Sequence, residues 1–438
     1  MITGGAMENV SKQMDRAVPG DVMRVIRRLA ALAEGCGLKA YLVGGFVRDL
    51  LLGVENLDLD LTVEGDAIEF AGYAAGRMKA FFLAHKKFGT AVLILKKPVK
   101  GVRFKIDMAS ARTETYKSPG ALPDVRFGPI RRDLYRRDFT INAMAIGLNK
   151  HNFGELVDFF GSREDLKRRR IRVLHDRSFI DDPTRIFRAV RFAERYNFKI
   201  DRHTESLIKD AVRKKMPSRV SAERIRNEIE LILKEKRPLG AVKKMRGLRE
   251  LEFISPKIRF GRAGERTCGN IEKTRGGRDY FAAPPDMRLV YFMAVIDNLR
   301  LEDALKACLR LKMRRADIKK IISCKRYGKK AAAALCRRRP ARPSALYEAL
   351  KPLSDEALLF LAAKCGRTRA KKRLSDFLKK YKDAGLAIGG GDLRRLGVRP
   401  GPRFKEILKK TLRAKIDGLI RTKKDELGFA ARLAKRDA

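Results

Sequence analysis

Acidic residues are scarce in this chain of 438 residues: 52 Asp and Glu stand against 100 Lys and Arg, a formal net charge of +48. A deficit of that size excludes a neutral metabolic enzyme as the default reading. It requires an anionic partner, and the available classes are nucleic acid, nucleotides and acidic membrane surfaces. Long apolar runs are missing too. The longest, residues 289–296, is far short of the roughly 18–20 residues that cross a bilayer. The N-terminus has no basic-then-apolar signal pattern, and no helix pairs the charge with a continuous apolar face of anchoring type. These absences predict a cytoplasmic chain without a membrane partner. The six cysteines (Cys36, Cys268, Cys308, Cys324, Cys336, Cys365) form no CxxC pair and no framework spacing. That excludes a structural zinc site and predicts ordinary reduced thiols. His175-Asp176 has no further His or Asp partner at a matching distance, so a metal phosphohydrolase is not supported and His175 reads as structural.

What is present is enough to fold. With 45% hydrophobic residues, 23 of them Phe, the chain can bury a large core, and its length fits roughly two to four domains. The fold class predicted is α+β: a small mixed-sheet head (1–160), a helical neck (161–255), and a helical body and tail (256–438). In the head, residues 22–34 have helical spacing, 39–43 read as a strand, and 56–64 alternate polar and apolar with a period of two. Residues 65–80 read as a helix and 80–85, 90–95 and 102–108 as strands. Residues 112–133, with three prolines, two glycines and no period, read as a mobile loop. In the helical part, the Gly/Arg-rich stretch 255–277 reads as a linker or exposed loop. Basic residues gather at 314–330 and 367–382, and glycine turns at 389–397 and 400–402 read as two helix starts, which can hold phosphates.

Three features carry chemistry. Gly44-Gly45 lies between a strand and a helix, where the backbone can approach a phosphate at the positive end of the helix dipole, with Arg48 one turn on. Asp58 and Asp60 lie two apart on a strand, so both carboxylates leave the same face about 7 Å apart. Such a pair repels itself unless a cation lies between, and hard oxygens select Mg²⁺. Asp107, inside an otherwise apolar strand, either joins that site or pairs with a buried arginine. Carboxylates around Mg²⁺ on a small sheet suit two-metal nucleotidyl transfer.

The residues then resemble a family. Gly44-Gly45-Phe-Val-Arg48-Asp49 with Asp58-Leu-Asp60, Arg136-Arg137-Asp138-Phe-Thr-Ile-Asn142, Asp158-Phe-Phe-Gly161, Asp181-Asp182-Pro-Thr-Arg185-Ile-Phe-Arg188-Ala-Val-Arg191 and Arg219-Val-Ser-Ala-Glu223-Arg224 resemble, in order, the five motifs of the class II tRNA nucleotidyltransferase and bacterial poly(A) polymerase superfamily. The resemblance covers about residues 40–235, with one small departure: Asp181 stands where many relatives have Glu.

The resemblance implies an Mg²⁺-dependent transferase that adds CCA to the tRNA 3′ end from CTP and ATP. It implies that Asp58 and Asp60 hold the metal and that Gly45 and Arg48 touch the triphosphate; the residue pattern adds Gly44 to the phosphate turn and Asp107 to Asp58 and Asp60 as a candidate catalytic carboxylate. Arg137, Asp138 and Asn142 would contact sugar and phosphates. Adenine and cytosine share an amino donor beside a ring-nitrogen acceptor, whereas guanine and uracil present the reverse. Asp182 as an N-cap with Arg185 beside it would therefore accept A and C and leave unpaired groups against G and U, and Arg188 and Arg191 would reach phosphates. In the family a loop at residues 116–125 helps the pocket switch from C to A, so CC-only addition is disfavoured. A specialised A-adding enzyme and a poly(A) polymerase share these motifs. A non-catalytic RNA-binding protein on the same scaffold is the distant alternative.

Overall fold

The computed structural model describes residues 8–96, 104–121, 123–273, 281–339 and 342–436. They divide into two compact units, Met1–Glu228 and Ile229–Ala438. All of the expected head and most of the expected neck fall in the first.

The first unit opens with α1 (Ser11–Ala17) and α2 (Gly20–Gly35), whose buried Val22, Met23, Ile26, Leu29, Ala30 and Ala33 recur at helical spacing. The sheet then forms from β1 (Lys39–Val43), β2 (Leu59–Glu64), β3 (Ala80–His85), β4 (Thr90–Leu95), β5 (Lys105–Ser110), β8 (Ala145–Gly147) and β9 (Leu156–Val157). Between β5 and β8 lie β6 (Arg112–Thr115) and β7 (Asp124–Phe127). The sheet order is β3-β4-β5-β2-β1-β8-β9. β2 and β5 run parallel, and the other neighbouring pairs are antiparallel. Two helices come from its connections: α3 (Gly45–Leu51) follows β1, and α4 (Ala67–Met78) joins β2 to β3. Asp66 caps α4 by accepting from the backbone N–H groups of Ile68 and Glu69. Buried Phe70, Ala71, Ala74 and Ala75 then pack α4 against β3, β4 and β5.

Two expectations need correction here. Residues 112–133 are not a structureless loop: β6 and β7 pair as an antiparallel ribbon, and α5 (Ile130–Tyr135) follows. The segment between the two strands is tied to its surroundings, with Gly120 donating its N–H to the Ile180 carbonyl at 3.2 Å. Gly120 has φ +74°, and a Cβ there would lie 3.1 Å from the Arg219 carbonyl oxygen, so a side chain would be strained and crowded. The predicted strand at 102–108 begins outside the described residues and is observed as β5.

The unit continues through α6 (Ser162–Lys167), β10 (Arg170–Ile171), α7 (Ser178–Asp181), α8 (Arg185–Arg195), β11 (Lys199–Ile200) and α9 (Arg202–Arg213), and α10 (Ala222–Lys234) begins in it. One face of α8 buries Ile186, Phe187, Ala189, Val190 and Ala193. Asp182 does not cap α8 as expected. That helix starts three residues later, and the Asp182 carboxylate instead closes a turn by accepting from the Thr184 N–H at 3.0 Å.

The second unit is helical: α11 (Pro238–Gly247), α12 (Arg262–Lys273), α13 (Met287–Val295), α14 (Leu301–Arg310), α15 (Arg315–Cys336), α16 (Pro343–Leu350), α17 (Asp355–Cys365), α18 (Thr368–Asp376), α19 (Gly390–Arg395), α20 (Pro402–Ile416) and α21 (Lys423–Arg436). α13 and α17 are apolar nearly all round and form its centre, as such helices must. The expected linker at 255–277 is in large part α12, which buries Thr267, Cys268 and Ile271; residues 274–277 lie outside the described residues. The glycine-marked helix starts are observed at α19 and α20. Cys336 and Cys365 are joined as a disulfide between α15 and α17, with Cα atoms 6.2 Å apart, which corrects the expectation of reduced thiols throughout. The other four cysteines are free. No helix among the described residues is long and apolar enough to cross a membrane.

Candidate active site

The thirteen candidate catalytic, metal and nucleotide-binding residues line a single cavity of about 1330 Å³ in the first unit: Gly44, Gly45, Arg48, Asp58, Asp60, Asp107, Arg137, Asp138, Asn142, Asp182, Arg185, Arg188 and Arg191. Its floor is the sheet. Leu59, Leu61 and Val63 of β2 turn into the core, which sends Asp60 to the opposite face. Asp107 of β5 stands directly across from Asp60 in the parallel register. Asp58 lies just before β2, in a turn closed by its N–H donating to Asn56 Oδ1 at 2.9 Å.

Burial pushes the Asp60 carboxyl up to about 6; Arg137 opposes the shift, and the charges of Asp58 and Asp107 add to it. Burial, with Asp58, also raises Asp107. Asp107 is exposed on the cavity side, and no ion pair to a buried arginine is found for it among the described residues. The negative charge that Asp58 and Asp107 place beside the buried Asp60 carboxyl suits a hard divalent cation. No group of three His, Cys, Asp or Glu side chains among the described residues is gathered as a ready-made cage. Mg²⁺ needs only one or two protein carboxylates, with phosphates and water completing its shell. Asp58 and Asp60 fit this role, and Asp107 is not established as a ligand.

Gly44 ends β1 at φ +69°, and a Cβ there would lie 2.9 Å from Arg137 Nη1 and 3.2 Å from Asp60 Oδ2. Only glycine allows the turn to sit against both side chains. Behind it runs a chain of ion pairs. Arg48 donates to both Asp49 oxygens and, through Nη1, to Asn142 Oδ1 at 2.5 Å. Its guanidinium also lies over the Tyr196 ring at 4.5 Å, a cation–π contact. Asn142 donates to Asp138 Oδ1 at 2.9 Å. Arg188 donates to Asp138 Oδ2 at 2.6 and 2.8 Å, and both Arg188 and Arg191 reach Glu228. Burial works to raise the Asp138 carboxyl, but Arg188, Asn142 and Arg185 hold it down at about 2. Arg188 and Arg191, expected to face phosphates, are thus committed to carboxylates. Arg137 is bound to Asp133 at 3.1 Å, and its Nε is buried without a partner among the described residues.

Asp182 and Arg185 share the cavity but form no ion pair. Asp182 Oδ1 accepts from Thr184 N, Thr184 Oγ1 and Arg224 Nη2, the last at 2.8 Å. Arg185 donates to the Arg136 and Arg137 carbonyls and to Ser178 Oγ. A guanidinium has five N–H donors, so two are left over. Sequence reasoning missed Arg224, although it ends the fifth motif quoted above. It also missed Glu114 and Tyr116 of the ribbon region. Glu114 accepts from Arg112, Arg136 and Tyr116, and burial raises the Tyr116 hydroxyl's pKa. Nothing in the local pattern announces these contacts, which depend on the ribbon being folded against the cavity. His175 meets the sequence expectation as a half-buried imidazole, its ring 5.2 Å from that of Tyr135, with burial lowering its pKa.

Residues 40–172 match the family model described as the poly A polymerase head domain, and residues 197–260 match the probable RNA and SrmB-binding site of polymerase A. The A-adding tRNA nucleotidyltransferase of Geobacter sulfurreducens is 39% identical over 96% of this chain, which spans 48% of that relative's length. The A-adding enzyme of Halalkalibacterium halodurans is 33% identical, with 97% of this chain and 95% of the relative aligned. Among solved structures, the Thermotoga maritima CCA-adding enzyme complexed with tRNA superposes with TM-score 0.80 at 34% identity, covering 98% of this chain and 99% of that one. With these matches spanning both units of the fold, the chain belongs to the class II tRNA nucleotidyltransferase and poly(A) polymerase superfamily.

Proposed function

We propose that this protein transfers AMP from ATP to the 3′ end of tRNA. The tRNA 3′-oxygen attacks the α-phosphorus, the bond to the β-phosphate oxygen breaks, and pyrophosphate leaves. Asp58 and Asp60 are the residues that would hold Mg²⁺, which when bound supplies charge stabilisation to the reacting phosphates. Gly44 and Gly45 admit the triphosphate to the start of α3. Arg48, Arg137, Asp138 and Asn142 keep the sugar and phosphates in place, Arg188 braces Asp138, and Arg191 holds the Glu228 that Arg188 also reaches.

The observation that carries base choice is the one-sided use of Asp182. Oδ1 is occupied by Thr184 and Arg224, so Oδ2 is the atom left to accept an amino group. The two N–H groups remaining on Arg185 supply a donor to the adjacent ring nitrogen. Adenine and cytosine satisfy both, while guanine and uracil leave a buried polar atom unpaired, a source of large discrimination. Adenine addition is favoured because the two relatives named above, matched along almost all of this chain, are A-adding enzymes by name. Full CCA addition is the second reading, supported by the likeness to the T. maritima CCA-adding enzyme and by a base-reading pair that does not separate A from C. Incubation with tRNA ending at the discriminator base, at C and at CC, each with single nucleotides, tests both. Incorporation of A only after CC is the expected result, and CMP addition to the discriminator base and to C together with AMP addition after CC establishes the second reading.

A further inference from the structure

We propose that the outer half of the sheet's open face, on β3 and β4, is the platform on which the terminal nucleotides of the acceptor RNA lie. The proposal rests on the transfer reading above. In register, Asp60 stands opposite Asp107, Asp107 opposite Val92, and Val92 opposite Leu83. Residues directly opposite across strands share a face, so one row runs from the carboxylates outward to the sheet edge. The reverse face of these strands is covered by α4. The row's outer end is open: Leu83 is 58% exposed and Phe81, next but one on the same face, 52%.

Direction follows from what lies on the other side of the carboxylates. Gly44, Gly45 and Arg48 belong to the β1 side, where the triphosphate and its departing pyrophosphate belong. In an in-line displacement the attacking hydroxyl enters opposite the leaving group, which here means over β5 and β4. The platform has the chemistry of a single-stranded RNA site: an apolar, aromatic surface for sugar and base, flanked by cations for phosphate. Lys96 lies over the Phe81 ring at 4.8 Å, and Lys105, two residues before Asp107, is exposed on the same face.

Phe81→Ala and Leu83→Glu, both at exposed positions, test the platform through steady-state kinetics with tRNA and ATP varied separately. The expected result is a rise of about tenfold in KM for tRNA, with KM for ATP within twofold of the parent. Unchanged KM for tRNA, or equal rises for both substrates, overturns the proposal. So does a parent protein whose sedimentation shows a dimer that Leu83→Glu dissociates without altering KM for tRNA, since the face would then belong to a second copy. A tRNA transcript carrying 4-thiouridine at its 3′ terminus supplies the second measurement. Crosslinks to Phe81, Leu83 or Val92 support the platform even if the parent adds no nucleotide, an outcome that would sink the activity alone. Crosslinks confined to other elements in a protein that does add nucleotides overturn the platform alone.

Discussion

Arg224 reaches from α10 to Asp182 and donates to its Oδ1 at 2.8 Å, while its other terminal nitrogen donates to the Gly120 carbonyl at 3.4 Å. One guanidinium therefore joins the helical neck, the segment between β6 and β7, and the carboxylate proposed to read the base. The expected neighbour of Asp182 was Arg185. The observed division gives the two arginines separate duties: Arg185 anchors the backbone at residues 136–137, and Arg224 fixes the carboxylate.

Arg224→Ala should lower kcat/KM for ATP by about tenfold or more, the cost of one charge-assisted hydrogen bond. It should also narrow the preference for ATP over GTP, because a carboxylate free to turn no longer presents a single oxygen. Arg224→Lys should restore part of both. Single-nucleotide incorporation kinetics with each triphosphate measure this, and a variant that loses rate while keeping full base discrimination would contradict the positioning role.

Asp60→Ala should reduce nucleotide addition by about a thousandfold or more, with tRNA affinity within twofold of the parent by fluorescence anisotropy. Chelation of divalent ions should stop the parent enzyme, and added Mg²⁺ should restore it. An active Asp60→Ala protein would remove the carboxylate from the metal site.

The Asp138–Arg188 pair has a pH signature. Asp138 is held at about 2 in the folded chain, below its ordinary value of 3.8, so it stabilises the fold fully above about pH 4 and loses that contribution as pH falls towards 2. Arg188→Ala strands the buried carboxylate and should cost about 3 kcal/mol at pH 7, near the lower end for a broken buried pair. Calorimetry should show the gap between parent and variant closing as the buffer is taken from pH 4 towards pH 2.

Glu250 in the second unit is fully buried with neither carboxylate oxygen partnered among the described residues, and burial raises its pKa well above the ordinary value. The folded chain holds a proton there that the unfolded chain releases, so this residue makes stability fall as pH rises above about 4.5. Glu250→Leu should raise the thermal midpoint at neutral pH and flatten that decline, and Glu250→Gln should flatten it without the full gain. Thermal unfolding between pH 5 and 8 is the measurement.

Much of the site could be read from the sequence because its residues sit in short local patterns. The two-residue period of β2 places Asp60 on the cavity face, and the Gly-Gly turn between β1 and α3 is marked by residue type alone. Asp107 was legible as a charge in an apolar strand, but its cross-strand partner depends on a parallel register that nothing local specifies. The β6–β7 ribbon was hidden because prolines and glycines dominate its surroundings and its strands are four residues each. α12 was hidden by its glycines and arginines: it is held by packing Cys268 and Ile271 into the second unit's core rather than by helix propensity. The Cys336–Cys365 bond joins residues 29 apart on different helices, a separation without a spacing signature.

Gly44 shows how narrow the tolerance of such a site is. With Arg137 and Asp60 both inside van der Waals reach of its missing Cβ, the position is closed from two sides and by its own backbone angle. A saturation library at residue 44, selected for nucleotide addition, should therefore return glycine codons alone, whereas at residue 45, whose Cβ would meet no protein atom closer than 3.5 Å, alanine should fold normally and any loss should fall on ATP binding.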